Sequence, residues 1–556
     1  VTLVSPQRLF LITISFTLLF LVALGHLCIL QIFEHPFFTD VAHRQYEVVI
    51  TKHSPRALIL DRFGSPLAMN KEVFSAFITP NNLKDKPAVI SFLKKQFPNA
   101  YERFNKKASS CFMYVKRHLL QKEIDALAEA DLVDIRLLRE QSRFYPHPSL
   151  GNTIGTTDID NQGLSGLELV FDTQLSGKPS IYRLQKDARS HCYYFEKKTT
   201  EVGIEGAPLT TTLNSDLQFI TYNTVQKHVE KWGAQEGAAL ILDPASGDIL
   251  AMACVPDFNP NLQAPQDLFL TKNRVLTEVR EFGSVMKVFT ALAALIEKAV
   301  TPDEIIDCEN RKETYIEGIK ITTWKAFGKL TYTDVIRRSN NIGTSKVALR
   351  IKNRLYDHLK SYGFGNATNL GFPGEQTGFI LAPRFWSKAT PLTLSYGYAI
   401  SATMLQLACG FALIANRGLA VKPRLIISPT NQKWPQLTRV CEAEPVDALR
   451  SIITLNREGN TAITGHIPGY EVMGKTGSAD LLINKKYDKT RSLYTFAGIV
   501  ENGTYKRVIV VFIREPRPHK GHLYAADIAV PLFKDIAQQM LVREKITPMT
   551  IKEVKG

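Results

Sequence analysis

The sequence predicts an α+β chain in three parts: an N-terminal transmembrane helix, an α+β pedestal, and a larger domain of one antiparallel sheet with a helical subdomain. Three observations predict it. An apolar run without Asp, Glu, Lys or Arg occupies Leu9 to Phe33. Short strand-like and helical pieces alternate from residue 40 to about residue 205. Beyond that, strand patterns sit at both ends of a long region whose middle reads as helix. The expected boundaries are a cytoplasmic tail 1–8, an anchor 9–33, a pedestal 34–205, the larger domain 206–545 and a basic tail 546–556.

The anchor comes first. About two dozen residues at ~1.5 Å each cover the ~30 Å hydrocarbon core with some tilt to spare. Arg8 precedes the run, and Glu34 and Asp40 follow it, so the positive-inside rule keeps the N-terminus cytoplasmic and exports the rest. Ala23-Leu24-Gly25 loosely resembles a signal-peptide cleavage site. The apolar run nevertheless continues through Leu27, Ile29, Leu30 and Ile32, longer than a signal-peptide core, which favours an uncleaved anchor.

The body is globular. A chain of 556 residues with 45% apolar and 22% charged residues needs two or three cores rather than one. Its formal net charge of +15 is scattered, without a groove-reading motif, so it fits an anionic membrane and wall rather than nucleic acid. Cysteines 28, 111, 192, 254, 308, 409 and 441 form no C-x-x-C pair, which argues against a zinc ribbon or redox motif. The histidines form no H-x-x-x-H pattern, and no metal or cofactor is expected.

In the pedestal, Tyr46–Thr51 and Leu58–Leu60 read as strands, and Pro87–Gln96 and Leu119–Ala130 as helices. The last would place Leu119, Leu120, Ile124, Leu127 and Ala128 on one face. In the larger domain, Asn214–Trp232 reads as an amphipathic helix. Gly237–Asp243 and Asp248–Met252 read as a hairpin joined by the Pro244–Gly247 turn. Tyr494–Val500 and Val508–Phe512 add strands, while Ser284–Glu297, Tyr332–Arg338 and Thr403–Ala415 are helical.

Candidate chemistry lies in three short segments. Ser284-Val-Met-Lys287 opens a helical run, so the Lys287 amine and the Ser284 hydroxyl share a face beside spare N-terminal N–H groups. Alone this is weak, since a serine at a helix start is usually a cap. Ser339-Asn340-Asn341 follows a short helix and could be an ordinary polar terminus. Lys475-Thr476-Gly477-Ser478 follows a β-like stretch, Tyr470–Met473, and could be a turn. Together and in that order they resemble the S-x-x-K, S-D-N and K-T-G set of serine acyltransferases.

With those residues in view, the chain resembles the class B penicillin-binding proteins, more narrowly their division-type, FtsI-like branch. Arg56–Arg62 with Gly64, Leu67 and Ala68, then Arg143–Pro146 and Gly163–Glu168, resemble that family's pedestal segments. Ile241–Pro260, Gly397–Gln406 and Gly469–Ser478 resemble pieces of its transpeptidase domain. Ala57 and Ala399 stand where the family has glycine, Phe282 where it has proline, and Ser478 where it has threonine.

The resemblance implies a peptidoglycan D,D-transpeptidase acting on D-Ala–D-Ala stem peptides in septal wall synthesis and acylated by β-lactam antibiotics. It implies Ser284 as nucleophile and Lys287 as base, with Lys475 as a nearby cation. Ser339 would relay a proton and Asn341 would bind the substrate backbone. Lys475, Thr476, Gly477 and Ser478 would bind the terminal carboxylate, and the backbone N–H groups of Ser284 and Ser478 would form the oxyanion hole. A neutral lysine at pH 7 costs about 4–5 kcal/mol in water, so Lys287 must be buried or stand beside a cation. Expected partners are a membrane-embedded SEDS glycosyltransferase and other division proteins, at a bacterial inner membrane with the catalytic domain outside. An elongation-type transpeptidase, an idle scaffold and a β-lactamase are the alternatives. A bifunctional glycosyltransferase fits poorly, because the segment before residue 205 is short for a transferase domain.

Overall fold

The structure, a computed structural model, describes residues 5–186, 194–262, 267–427, 437–484, 486–517 and 523–549. Cys192 lies outside them. The chain divides into two compact units, Val1–Arg56 with Ser176–Gly206, and Ala57–Leu175 with Ala207–Gly556.

The first unit begins with the apolar helix Pro6–Cys28, which continues helically through Phe33. Among the described residues it is the helix long and apolar enough to cross a membrane. Its two threonine hydroxyls are satisfied within the helix: Thr13 Oγ1 donates to Leu9 O at 2.9 Å and Thr17 Oγ1 to Thr13 O at 2.8 Å. A spanning helix needs that, because lipid offers no acceptors. Helix His35–Tyr46 follows, then a three-stranded antiparallel sheet of Glu47–Lys52, Ser180–Lys186 and Tyr194–Glu201.

In the second unit, strand Pro66–Ile78 organises a small sheet. It pairs with Ile59–Leu60, Met113–Lys116 and Arg136–Phe144. Helix Lys86–Gln96 starts where Asp85 Oδ1 accepts from Ala88 N at 3.0 Å, with Pro87 in its first turn. Val89 and Leu93 pack with Phe104, Ile78 and Val115. The helix expected from Leu119 begins instead at Gln121. His118 has φ +52° and Leu119 N donates to Phe74 O at 2.7 Å, so Leu119 belongs to the sheet side of the core. Leu120 and Ala128 are exposed, and Ile124 and Leu127 alone line the packed face. Asp61 explains its own segment: Oδ1 accepts from Phe63 N and Ser65 N, each at 2.8 Å, and Oδ2 from Ser215 Oγ at 2.7 Å. One buried carboxylate thus ties a tight turn to the start of helix Ser215–Trp232.

The large sheet is antiparallel, in the order Ile249–Val255, Glu236–Leu242, Tyr505–Arg514, Lys486–Asn502, Glu471–Ile483. Every residue of its first two strands is buried, which is why they read as continuous apolar runs rather than alternating ones. Helices Ser215–Trp232 and Ala525–Arg543 cover one face, with Leu217, Val225, Phe533 and Met540 against Ile241, Leu250 and Val511. The helical subdomain covers the other, with Phe289, Leu292 and Phe411 against Leu240, Met252 and Phe512. Glu471–Ile483 is an edge strand. It holds Thr454 at Met473, and among the described residues nothing pairs with its outer side beyond that point.

Candidate active site

The three segments meet at that edge strand. Ser284 sits in a tight 3-10 turn, Gly283–Met286, and Lys287 opens the helix Lys287–Ile296 behind it. In such a turn residues i and i+3 eclipse, so the amine and the hydroxyl emerge on one side. The turn is held by backbone contact that leaves no room for side chains. A Cβ on Gly477 would stand 2.2 Å from Phe282 O, and one on Gly397 would stand 2.1 Å from Gly283 O. Gly283 itself has φ +53°.

Lys287 is fully buried. Its Nζ lies 2.7 Å from Ser339 O and 3.2 Å from Ser339 Oγ. Burial holds its pKa well below the usual lysine value, and the nearby Lys475 charge pushes the same way. Burial also lowers Lys475, to about 7. Among the described residues its Nζ has only long contacts to Thr476, 3.3 Å to O and 3.4 Å to Oγ1.

Ser339 joins two helices and has φ +57°, an unusual conformation for a residue with a side chain. Its neighbours fix it: Asn340 N donates to Val335 O at 2.9 Å, and Asn340 Oδ1 accepts from Gly343 N at 2.8 Å, capping helix Asn341–Ile351. Trp324 Nε1 donates to Arg338 O at 2.8 Å from the other side. Asn341 donates one amide hydrogen to Thr322 O at 2.7 Å, leaving a second N–H and its own oxygen.

Lys475–Ser478 lies inside strand Glu471–Ile483, not in a turn after it; Lys475, Thr476, Gly477 and Ser478 face Ala497, Phe496, Thr495 and Tyr494. Side chains alternate along a strand, so Thr476 and Ser478 reach the cleft together while Gly477 lets the Ser284 turn approach. Thr476 Oγ1 and Thr461 Oγ1 are hydrogen-bonded at 2.8 Å.

Ser284, Ser339, Asn341, Thr476, Gly477 and Ser478 line one cleft of ≈ 530 Å³, with Lys287 and Lys475 buried beside it. Trp324, Asp480, Lys489, Ser492, Tyr494, Tyr524 and Asp527 line it too, and motif reading had not found them. Asp480 was within reach of the sequence, two residues past Ser478 on the same strand face. Trp324 and Tyr524, whose rings meet edge to face at 6.1 Å, carry no sequence signal. The arrangement offers a low-pKa amine hydrogen-bonded to the Ser339 hydroxyl, the Ser284 hydroxyl one tight turn away, and a second buried lysine for a carboxylate. That is the equipment of serine acyl transfer.

The chain is similar to known proteins over most of its length. Residues 237–538 match the penicillin binding protein transpeptidase domain, and residues 51–211 match the penicillin-binding protein dimerisation domain. The chain is 30% identical to a probable peptidoglycan D,D-transpeptidase, PbpC, of Pseudomonas aeruginosa, over 98% of this chain and 97% of that one. It is 28% identical to the peptidoglycan D,D-transpeptidase FtsI of Escherichia coli K12, over 89% and 84%. Among solved structures, penicillin binding protein 3 of Mycobacterium tuberculosis in complex with aztreonam matches with TM-score 0.69 at 25% identity, over 90% of this chain and 98% of that one.

Proposed function

The chain belongs to the class B penicillin-binding proteins, in their FtsI-like branch, and on that premise we propose that it cross-links peptidoglycan through an acyl-enzyme at Ser284. It is a serine-type D,D-transpeptidase. The observation that carries the residue roles is the buried Lys287 amine, 2.7 Å and 3.2 Å from the two Ser339 oxygens and one tight turn from Ser284.

The steps follow from those positions. A neutral Lys287 takes the Ser284 proton as its oxygen attacks the carbonyl of the penultimate D-Ala. Charge developing on that carbonyl oxygen is met by the backbone N–H groups of Ser284 and Ser478. The proton passes through Lys287 and Ser339 to the departing D-Ala nitrogen. Lys475, with the Thr476 and Ser478 hydroxyls, holds the terminal carboxylate, and Gly477 keeps the strand close to the Ser284 turn. Asn341 uses its spare amide hydrogen on the donor's backbone. A neutral amine of a second stem peptide then attacks the acyl-enzyme: the C–N bond forms, the ester C–O bond breaks, and the amine's proton passes through Lys287 to the departing Ser284 oxygen.

The setting is part of the same proposal. Residues 9–33 anchor the chain in the bacterial inner membrane with the tail 1–8 cytoplasmic and the rest outside. Residues 34–205 form a pedestal, 206–545 the transpeptidase domain and 546–556 a basic tail. Septal duty and a SEDS glycosyltransferase partner are supported by the FtsI-like relationship. Acylation by β-lactam antibiotics is supported by the aztreonam complex of the mycobacterial relative.

Labelling with a fluorescent penicillin tests the assignment. Wild type should form an adduct that lasts for hours, and Ser284→Ala should form none. Labelling of the alanine variant would remove Ser284 as nucleophile, and turnover within seconds would make the protein a β-lactamase.

A further inference from the structure

The cleft extends past the groups that act on the reacting carbonyl. Two residues beyond Ser478, Asp480 lines the same wall. The strand pairing breaks there: Asp480 faces Ser492, but Leu481 faces Asp488. Residues 489–491 bulge out of the ladder, and Lys489 of that bulge lines the cleft.

Asp480 is half-buried, and its hydrogen-bond partner is Ser492 Oγ at 3.4 Å. Among the described residues no lysine or arginine nitrogen lies within ion-pair distance of its carboxylate. Burial works against its charge; Lys489 supports the ionised form and Asp488 opposes it. Asp527, the other carboxylate in the cleft, accepts from Tyr524 N at 3.2 Å and so closes the start of the last helix. Among the described residues Asp480 thus has no ion pair, only the more distant Lys489 in support of its charged form, so a ligand ammonium in the cleft would give it a direct partner.

The reaction supplies such a cation. Transfer requires an amine on the acceptor stem peptide, and donor and acceptor are copies of one repeating polymer. The donor therefore carries the same amine. From Thr476 to Asp480 the extended strand covers about 13 Å. A donor peptide with its carboxylate at Thr476 and Ser478 covers about 7 Å across its two terminal residues. The side chain of the preceding residue spans the remainder.

We propose that Asp480 binds the side-chain ammonium of the donor stem peptide, on the residue that precedes its two terminal alanines. This rests on the transpeptidase reading above. It makes the cleft bipolar, with a cation for the donor's carboxylate at Lys475 and an anion for its amine at Asp480.

The test uses the full chain and two donor peptides ending in D-Ala–D-Ala, one with the side-chain amine free and one with it acetylated. D-Ala release is followed without any acceptor. Wild type should prefer the free amine by about tenfold in kcat/KM, the worth of one charge-assisted contact. Asp480→Asn should bring the ratio close to one, and Asp480→Lys should invert it. Equal use of both peptides by wild type overturns the proposal, whatever the variants do. It is overturned as well if Asp480→Asn keeps the preference, or changes only the capture of added acceptor amine. Penicillin labelling of each variant reports separately on Ser284, so failure of the amine site and failure of the acyl-transfer reading are distinguishable.

Discussion

The Lys287 Nζ stands 2.7 Å from the carbonyl oxygen of Ser339 and 3.2 Å from its hydroxyl, with no exposed surface on the lysine. A neutral amine fits there: it gives one hydrogen to the carbonyl and keeps its lone pair for a hydroxyl proton. An arginine would fill the space but stay charged. Lys287→Arg should therefore lose β-lactam acylation as fully as Lys287→Ala, by about 10²–10⁴-fold. Ser339→Ala, which keeps the carbonyl contact, should lose less. Stopped-flow acylation rates check the order, and near-wild-type activity in Lys287→Arg would refute the base assignment.

The two lysines make opposite demands on pH. Acylation needs Lys287 neutral, so its rate rises with pH through that lysine's lowered pKa. It also needs Lys475 charged to hold a carboxylate, so the rate falls as pH passes about 7, the value for Lys475 with its site empty. A bound carboxylate favours the ammonium and raises that value. The second-order acylation rate should thus fall above neutrality, while the rate at saturating ligand should hold to higher pH. Lys475→Arg should abolish the alkaline limb. A flat profile through the alkaline range would rule this arrangement out.

Two backbone positions predict stability changes of opposite sign. A methyl on Gly477 would stand 2.2 Å from Phe282 O, so Gly477→Ala must push the Ser284 turn away from the strand. A loss of about 2–4 kcal/mol is expected, with acylation falling more than melting temperature alone explains. Ala399 is the converse. It has φ +60°, the left-handed region in which a side chain is strained, and the family resemblance puts glycine there. Ala399→Gly should stabilise by about 0.5–1 kcal/mol once the entropy cost of glycine is deducted. Thermal denaturation of the two variants checks both signs.

The sequence carried the placement of the three motif segments further than it carried the rest of the cleft. The positions of Ser284, Lys287, Ser339 and Asn341 at helix starts and ends were legible, because those signals are local. The hairpin at Pro244–Gly247 was legible for the same reason, in its turn chemistry. For Lys475–Ser478 a turn stood open as the bland alternative, because Gly and small polar residues are common in turns. Here the glycine is required inside a strand by the close approach of Phe282. Leu119 and Leu120 matched a helical face by spacing alone, and a tertiary bond from Leu119 to Phe74 overrode it. Trp324 and Tyr524 reach the cleft through folding of distant segments, which no local pattern encodes, and Lys489 reaches it through a bulge in the neighbouring hairpin strand.

Charge burial behind the nucleophile gives the last prediction. Glu236 is 1% exposed and its Oε1 meets Arg274 Nε at 2.8 Å and Arg280 Nη2 at 2.7 Å, while Oε2 lies 3.5 Å from Arg514 Nη1. Arg280 also exchanges backbone bonds with Ala402, at 2.8 Å and 3.0 Å, shortly before the Ser284 turn. Glu236→Gln keeps the shape but leaves the buried Arg274 without its counter-charge and Arg280 with Glu278 alone, at 2.7 Å, which should cost about 3 kcal/mol. If the carboxylate also steadies the segment leading to Ser284, acylation should fall in Glu236→Gln even at temperatures where the variant is fully folded. Arg280→Met should then show a smaller effect in the Glu236→Gln background than alone, with a coupling of about 1–3 kcal/mol in a double-mutant cycle. Additive effects would mean that Glu236 supports the core alone and leaves the nucleophile to the glycine contacts around it.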